Sequence, residues 1–277
     1  RVKEQYQDQR GLPLVDTTLQ DLRLAIRLLW RAPGFACSAV AVLGLGIGVN
    51  NMLFTILNAH TIRGLPMPDA DRVLYLTTRD DRSPDLGVSF LDFTDWQAGA
   101  RTFERLAAFT TEPIVVSGDG RAPSTFSGTF ISHSAFALVG TQPMLGRDFT
   151  PKDDDPGASA VLILGANTWE SRYARDPGVL GRSITVNGTP AVVVGVMPER
   201  SGFPSSGQIW LPLSQVPGLR QQARDARTLS VIGRVRDGVQ LSQAQAELET
   251  ITAQIASEHA ATNQQVRARV VQINERY

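Results

Sequence analysis

The chain has 277 residues, and its 27 basic and 27 acidic side chains give a formal net charge of zero. This balance argues against a nucleic-acid-binding protein, because such proteins generally carry a clustered excess of basic residues. The single cysteine, Cys37, excludes an intrachain disulfide and a metal site built from several thiolates.

The first 32 residues contain an amphipathic pattern. Arg23, Arg27 and Arg31 are four residues apart and would lie on one face of a helix. Apolar residues would line the opposite face: Leu19, Leu22, Ile26 and Leu29. Such a helix can rest on a membrane surface with its arginines toward anionic headgroups, or it can be an ordinary packed helix. Both interpretations stay open, and we treat 1–32 as a cytoplasmic juxtamembrane region.

Residues 33–62 form an uninterrupted stretch without a charged side chain. The apolar centre, residues 35–57, would extend over about 34 Å as a helix at ~1.5 Å per residue. A bilayer core requires about 20 such residues, so the stretch is long enough to cross. A helix that is apolar on every face is not typical of a soluble domain of this size. The sequence therefore predicts a transmembrane helix over 33–62.

Two features inside this stretch favour contact with other membrane helices. Gly44 and Gly48 form a GxxxG pair, and small residues at this spacing let a second helix approach closely. Asn50 and Asn51 add two amides that require hydrogen-bond partners at membrane depth. We therefore expect a helix-packing face at the two glycines and further spans in the complete assembly.

The charges around the stretch predict its orientation. Arg23, Arg27 and Arg31 precede it closely, whereas Arg63 and Arg72 follow it. The excess of arginine on the N-terminal side places that side in the cytoplasm and the remaining domain in the periplasm. A cleaved signal peptide is the alternative, but the preceding region is long and no small-x-small cleavage site closes the apolar run. We interpret the stretch as a retained anchor in the cell inner membrane.

The rest of the chain, 63–277, shows the patterns of an α+β domain. Its first predicted elements are a strand at 72–78, a helix capped by Ser89 and Asp92, a helical continuation at 102–106, and strands near 114–116 and 124–131. The central elements are a helix at 135–139, a solvated acidic turn at 153–155, a strand at 160–164 and a hairpin around Asn187-Gly188. The last are a strand at 229–235, a helix with a Ser242–Gln245 capping box that ends near His259, and a strand at 266–273.

The two ends of this domain have the same strand-helix-strand pattern. We infer that 63–130 and 228–277 are two halves of one unit and that 131–227 is an insertion between them.

The sequence contains no recognisable catalytic motif. The phosphate-binding loop GxxxxGK[ST] is absent, so we expect no ATP hydrolysis by this chain. Its three histidines, His60, His133 and His259, are not spaced as metal ligands, and we expect structural or solvated roles for them. We predict neither a catalytic residue nor a cofactor or metal site.

Six stretches, in this order, resemble the N-terminal half of MacB-type and FtsX-type ABC transporter permeases. They are 21–48, 65–73 (LPMPDADRV), 89–96 (SFLDFTDW), 145–149 (LGRDF), 176–198 and 232–248. Together they cover nearly the whole chain, and the likeness is greatest to the large duplicated orphan permeases.

The resemblance implies a periplasmic core domain in which a porter-like α/β subdomain is split by a β-rich insertion. It also implies three further spans beginning just beyond Tyr277. Separately, residue 1 is arginine and not methionine, so we expect the sequence to be processed or cut from a longer one. An ATP-binding subunit would act in trans, and a homodimer or pseudo-dimer and a periplasmic adaptor would be further partners.

Members of this type work by mechanotransmission, in which ATP-driven helix motion changes the outer domain and exports a substrate. Two alternatives stay open: an FtsX-like coupler that regulates a periplasmic partner without transport, and a single-span sensor or binding module.

Overall fold

The computed structural model describes residues 24, 27, 30–57, 69–199 and 208–273. The chain divides into two compact units, residues 1–63 and 64–277. In the first unit, helix α1 comprises Pro33–Leu57. Its segment Pro33–Met52 has a mean hydropathy of 1.6, and among the described residues it is the one helix long and apolar enough to cross a membrane. The described part of the predicted stretch is therefore a continuous apolar helix, while residues 58–62 lie outside the described residues and the span itself stays a prediction.

The second unit combines strands and helices. Its described strands are β1 (Val73–Arg79), β2 (Phe103–Ser117), β3 (Ser124–Ile131), β4 (Leu145–Gly146), β5 (Val161–Gly165), β6 (Ser183–Val186), β7 (Thr189–Met197), β8 (Ile209–Pro212), β9 (Ser230–Val235) and β10 (Arg267–Gln272). Its described α-helices are α2 (Phe90–Gly99), α3 (Ala135–Val139), α4 (Ala166–Tyr173), α5 (Leu241–Glu258) and α6 (Ala260–Asn263).

Four strands from the two ends of this unit form an antiparallel group in the order β10-β1-β9-β2. Helix α2 connects β1 to β2, and α5 connects β9 to β10, so the group has the β-α-β-β-α-β pattern called ferredoxin-like. The two helices pack on each other through the buried Trp96, whose Nε1 donates to Thr252 Oγ1 at 3.1 Å. The strand that follows α1 in the chain, β1, is hydrogen-bonded on both sides.

The remaining strands extend this sheet and then return to it. Beyond β2 the order is β3-β8-β5-β7-β4, and β6 pairs with both β7 and β2. The pairings β2-β3-β8-β5-β7-β6-β2 therefore form a closed ring, in which β6 meets β2 through the pairs Val116–Val186 and Ser117–Thr185. The ring closes because β2 is long: its first half pairs with β9 and its second half with β3.

Several local predictions are confirmed. Ser89 caps α2, and its Oγ accepts from the backbone N–H of Asp92 at 3.1 Å. Asn187 and Gly188 have φ of 48° and 85°, the two left-handed positions that a type I′ turn between β6 and β7 requires. Helix α5 ends at Glu258, and His259 is its C-cap, close to the predicted end. The boundaries of the inserted region at 131 and 227 stay predictions.

The prediction that residues 102–106 continue the helix is wrong. Helix α2 ends at Gly99, and β2 begins at Phe103 and pairs with β9. The Glu247 carboxylate on α5 accepts from the backbone N–H of Thr102 at 2.9 Å and so fixes the approach to the strand. Tertiary pairing has overridden the local helical pattern.

The predicted capping box of the last long helix is also wrong in position. The N-cap is Gln240, and Gln243 provides the reciprocal side chain, accepting from the Gln240 backbone N–H at 2.9 Å. The helix thus begins at Leu241, one residue before the predicted cap Ser242. Gln245 is engaged elsewhere, on the edge of β10.

Candidate functional site: the helix face, the entry clamp and the junction cluster

The two glycines predicted to pack against another helix lie on the exposed surface of α1. A Cβ atom built at Gly44 or Gly48 would meet no heavy atom within 4 Å. The surface around them is therefore open and smooth, as close approach of a second helix requires. Helix packing at these positions stays a prediction.

The arginines predicted to meet headgroups are only partly described. Arg27 and Arg31 are helical and exposed, and Arg23 lies outside the described residues. Trp30 is 84% exposed beside Arg31, at the start of the apolar segment. Tryptophan is enriched at membrane–water interfaces, and this adjacent signal in the sequence could have added Trp30 to the predicted membrane-surface residues.

The start of β1 is held by one arginine that contacts two other strands. Arg72 donates from Nε (3.2 Å) and Nη2 (2.8 Å) to the carbonyl oxygen of Val235 at the end of β9. It also forms ion pairs with Glu104 on β2 (2.6 Å) and with Asp237 (2.7 Å). We call these four residues the entry clamp. The entry clamp thus links the start of β1 to both β2 and β9.

A buried aspartate on α2 joins three distant parts of the second unit. Asp92 is 2% exposed, and its oxygens accept from Arg224 Nη1 (2.7 Å), Arg227 Nη1 (2.6 Å) and Asn263 Nδ2 (3.1 Å). Arg224 also pairs with Asp95 at 2.6 Å, so two carboxylates balance two guanidinium groups. We call these five residues the junction cluster.

The junction cluster lies between the ring of strands and the ferredoxin-like group. Arg224 and Arg227 lie on the segment that returns from the ring of strands to β9, while Asp92 belongs to the ferredoxin-like group. Burial lowers the pKa of Arg224, but hydrogen bonds to Asp92 and Asp95 outweigh it and raise that pKa above its usual value. The charged form is therefore favoured, and the cluster fastens the two parts together.

A cleft of about 280 Å³ lies between α2 and the ring of strands. Arg220 crosses it: its guanidinium lies 5.3 Å from the centre of the Phe90 ring, and Nη2 donates to the Asp154 carbonyl oxygen at 3.2 Å. On the same side, Asp154 Oδ2 accepts from the His133 backbone N–H at 2.8 Å and lies 3.2 Å from its Nδ1. Arg220 and the junction cluster thus both connect the ring to α2.

The acidic residues 153–155 do not form a simple solvated turn. Asp153 is buried and accepts two hydrogen bonds from Arg147, at 2.7 and 3.0 Å, and one from the Thr150 backbone N–H at 2.6 Å. Burial would raise the pKa of Asp153, but these donors lower it. The prediction was wrong because Asp153 caps the short turn that begins at Thr150 and pairs with the nearby Arg147, while Asp154 accepts from the distant backbone N–H groups of His133 and Ser214.

A second aspartate with a fully covered side chain lies in the turn between two strands of the ring. Asp119, in the turn between β2 and β3, accepts from Arg172 Nε (2.6 Å) and Nη2 (2.9 Å) and from the Tyr173 hydroxyl (2.8 Å). Burial opposes ionisation, yet these donors lower the pKa of Asp119 to about 2. Burial and the adjacent carboxylate raise the pKa of Tyr173 to about 12.

These clusters consist of ion pairs and hydrogen bonds between distant segments, and they do not form a metal centre. Among the described residues, no group of three or more His, Cys, Asp or Glu side chains could hold a metal ion. Sequence reasoning missed both the entry clamp and the junction cluster. Asp92 was expected only as a capping partner, because its arginines lie 132 and 135 residues away.

The sequence matches known transport proteins over most of its length. The family model of the MacB-like periplasmic core domain matches residues 37–251. The macrolide export ATP-binding/permease protein MacB 2 of Aeromonas hydrophila subsp. hydrophila is 26% identical over 260 residues, which cover 90% of this chain and 37% of that protein. The macrolide export ATP-binding/permease protein MacB of Escherichia coli K12 is 22% identical over 240 residues, which cover 81% of this chain and 36% of that protein. The chain therefore spans little more than a third of the length of these relatives.

Solved structures share the fold. The periplasmic region of MacB from Actinobacillus actinomycetemcomitans matches with a TM-score of 0.55 and 17% identity, over 75% of this chain and 91% of the other. The extracellular domain of the noncanonic ABC-type transporter YknZ from Gram-positive bacteria matches with a TM-score of 0.52 and 12% identity. That match covers 71% of this chain and 99% of the other. The predicted α+β core-domain fold is confirmed.

Proposed function

Because the chain belongs to the family of MacB-like periplasmic core domain proteins, and so contains the periplasmic domain of an ABC-type permease, we propose that it passes motion of its membrane helix to that domain. Mechanotransmission of this kind would couple ATP hydrolysis by a separate subunit to export of a substrate. The relatives named as macrolide exporters support this reaction class.

The entry clamp is the observation that carries this proposal. A displacement of the chain before β1 acts on Arg72, whose contacts with Glu104 and Val235 pass it to β2 and β9. The junction cluster then connects this group to the ring of strands through Asp92. A domain held at these two points moves as connected parts and does not absorb the displacement locally.

We propose further that α1 is anchored in the inner membrane with the second unit in the periplasm. The apolar surface of α1 and the exposed Arg27, Trp30 and Arg31 at its start support this orientation. Further permease spans, an ATP-binding subunit in trans, a periplasmic adaptor and a second copy are the partners we propose. The gap between the 277 residues here and the longer relatives supports additional modules.

Cysteine labelling in whole cells tests the orientation. In a Cys37→Ser background, Asp81→Cys places a thiol at an exposed position of the second unit. It should react with a membrane-impermeant maleimide in cells whose outer membrane is permeabilised. The matched variant Gln5→Cys should react only after the inner membrane is opened. The opposite pattern, or labelling of both, would overturn the orientation.

Reconstitution with the ATP-binding subunit tests the coupling. A fluorescent label on Asp81→Cys should respond to ATP in the wild-type complex, and Arg72→Ala should abolish the response while leaving subunit binding intact. An unchanged response in Arg72→Ala would refute the entry clamp as the point of transmission.

Co-purification separates export from the alternatives. An ATP-binding subunit together with an outer-membrane channel supports export. An ATP-binding subunit with a cell-wall hydrolase and no channel would indicate an FtsX-like coupler, and the absence of an ATP-binding subunit would indicate a single-span sensor.

A further inference from the structure

The edge of the sheet at β10 already bonds to one side chain as it would to a neighbouring strand. β10 is terminal in the strand order and pairs with β1 on one side. Gln245 Nε2 donates to the Ala268 carbonyl oxygen at 3.0 Å, and Gln245 Oε1 accepts from the Val270 backbone N–H at 2.7 Å. In an antiparallel strand, alternate residues direct both backbone groups away from the partner. Ala268 and Val270 therefore belong to the outward set.

A single amide that satisfies a C=O and an N–H two residues apart imitates a peptide group. An unpaired strand edge is a template for another chain, and proteins often block such edges. Gln245 thus covers part of the β10 edge and shows that the edge has the geometry to accept a peptide-like partner.

Three arginines lie beside this edge on one face of the sheet. Arg79 is directly opposite Arg267 in the β1–β10 register, and Arg269 is opposite Thr77 on the same face. All three arginines are exposed, and within the described ranges none of them forms an ion pair, although Arg269 donates to the Pro84 carbonyl oxygen at 3.1 Å. Like charges placed directly opposite each other destabilise a sheet. Their presence here points to an anionic partner.

Space for a partner borders the same edge. A groove of about 730 Å³ lies between Arg79 and Arg267 on the sheet and the small exposed residues Ala246, Thr250 and Ala253 on α5. The acidic side chain that lines it, Glu249, accepts a hydrogen bond from Gln245 Nε2 at 2.7 Å. An added strand could therefore lie along β10 without meeting large side chains of α5.

We propose that the β10 edge is a docking site for an extended acidic segment of a partner protein. The segment adds beside β10 as a new strand, its carboxylates meet Arg79, Arg267 and Arg269, and the Gln245 amide is displaced from the backbone. Strand addition supplies the main-chain hydrogen bonds, and the arginines supply selectivity. A second copy of this chain is the poorer occupant, because paired β10 strands would oppose their own arginines.

The probe is an eight-residue peptide of alternating Thr and Glu with blocked ends and a fluorescent label, titrated with the whole chain in neutral detergent. Two matched peptides serve as controls: one with Lys in place of each Glu, and one with N-methyl groups on alternate amides. Fluorescence anisotropy should show that the Glu peptide binds and that neither control does. The Lys peptide fails because its charge is reversed, and the N-methylated peptide fails because it cannot pair with the strand.

Two variants test the two parts of the site. Arg267→Glu should weaken binding of the Glu peptide by about tenfold or more, since a like charge then faces the peptide. Arg105→Glu, an exposed arginine on β2, changes the net charge equally and should leave binding unchanged. Gln245→Ala should tighten binding, because the peptide no longer competes with the amide. Tryptophan fluorescence during urea unfolding shows whether each variant is folded.

Equal binding of the N-methylated peptide would overturn strand addition, since charge alone would then explain the contact. Weaker binding by Gln245→Ala would overturn the role of Gln245 as a displaceable cover. Failure of the Glu peptide to bind both the wild type and Gln245→Ala would overturn the site. None of these results depends on ATP or on export, so they are separable from a failure of the proposed function.

Discussion

Asp119 and Asp92 both pair with arginine through covered carboxylates, but one links segments of the ring of strands and the other links the ring to the ferredoxin-like group. Asp119 binds Arg172 and Tyr173 within the ring of strands, and its partners lie 53 and 54 residues away. Asp92 binds Arg224 and Arg227 across the boundary between the ferredoxin-like group and the ring. The first carboxylate stabilises one part of the unit, whereas the second holds two parts together. Their loss should therefore differ in cooperativity as well as in size.

The largest effect is expected from Asp92→Asn. Removing the charge leaves the buried Arg227 guanidinium without a carboxylate partner and Arg224 with Asp95 alone, which should lower the free energy of unfolding by about 3–5 kcal/mol. Urea unfolding followed by tryptophan fluorescence measures the loss of stability. One variant keeps only Trp96, which reports on α2, and another keeps only Trp210, which reports on β8. The two midpoints should coincide in the wild type and separate in Asp92→Asn.

Asp95→Asn is the matched control for Asp92→Asn. The Asp95 side chain is 42% exposed and shares only Arg224, so its loss should reduce the free energy of unfolding by less than about 1 kcal/mol. Coincident midpoints in Asp92→Asn would show that the junction cluster does not couple the two parts.

Asp119→Asn should lower the free energy of unfolding by about 3 kcal/mol at pH 7, with both tryptophan midpoints moving together. The folded-state pKa, about 2, lies below the ordinary 3.8, so the ionised carboxylate stabilises the fold. This stabilisation is complete above about pH 4 and is lost as the pH falls toward 2.

The difference between wild type and Asp119→Asn should therefore shrink in acid, which urea unfolding at pH 7, 4 and 2.5 can show. Glu170→Gln breaks an exposed ion pair and should have almost no effect. A pH-independent difference would contradict the assignment of the effect to ionisation of Asp119.

Asp148→Asn should act in the opposite direction. Burial raises the pKa of Asp148 to about 6, so the ionised carboxylate destabilises the folded state above that pH. The variant should gain about 1 kcal/mol of stability at pH 8, after allowance for the partial exposure of the side chain, and nothing below about pH 4. Thermal unfolding at the two pH values measures the gain. Destabilisation at pH 8 would refute the prediction.

Gly44→Leu should change the free energy of unfolding of the second unit least of all, by less than about 0.5 kcal/mol, because the glycine lies on α1. The substitution should instead weaken packing between membrane helices. Cys37 lies on the same helical face as Gly44 and Gly48, so oxidation should produce a disulfide-linked dimer if that face packs against a second copy.

Gly44→Leu should reduce this crosslinking by Cys37, measured on non-reducing gels of oxidised membranes. Gly46→Leu is the control, since residue 46 faces away from this side of the helix. Equal yields from both variants would exclude a packed glycine face between two copies.

Prediction from the sequence succeeded where the signal is local. The long apolar helix follows from the uninterrupted absence of charge over 33–62, the β6–β7 turn from Asn187-Gly188, and the start of α2 from Ser89. Each depends on residues within a few positions of one another, where backbone geometry and side-chain hydrogen bonds act directly.

Two of the failures involve partners that are distant in sequence. The predicted helical continuation at 102–106 is instead the start of β2, because this segment pairs with β9. The two strands are more than a hundred residues apart in the sequence. Gln245 has the spacing of a capping residue but bonds to β10. In both cases a partner distant in sequence offers a better set of hydrogen bonds than the local alternative.

The sequence alone determined that this protein has an apolar helix joined to an α+β domain, and its ordered motifs pointed to the permease family. The length of the apolar run and the residues at the turns are enough to predict the helix and the domain class, because both signals come from consecutive residues. Tertiary structure alone decided which strands close the ring, that Arg72 clamps β1, that Asp92 is buried between two arginines, and that β10 is an edge beside arginines that form no ion pair with any described residue. Those features arise only when remote segments meet, and their energies depend on burial and geometry that no single segment possesses.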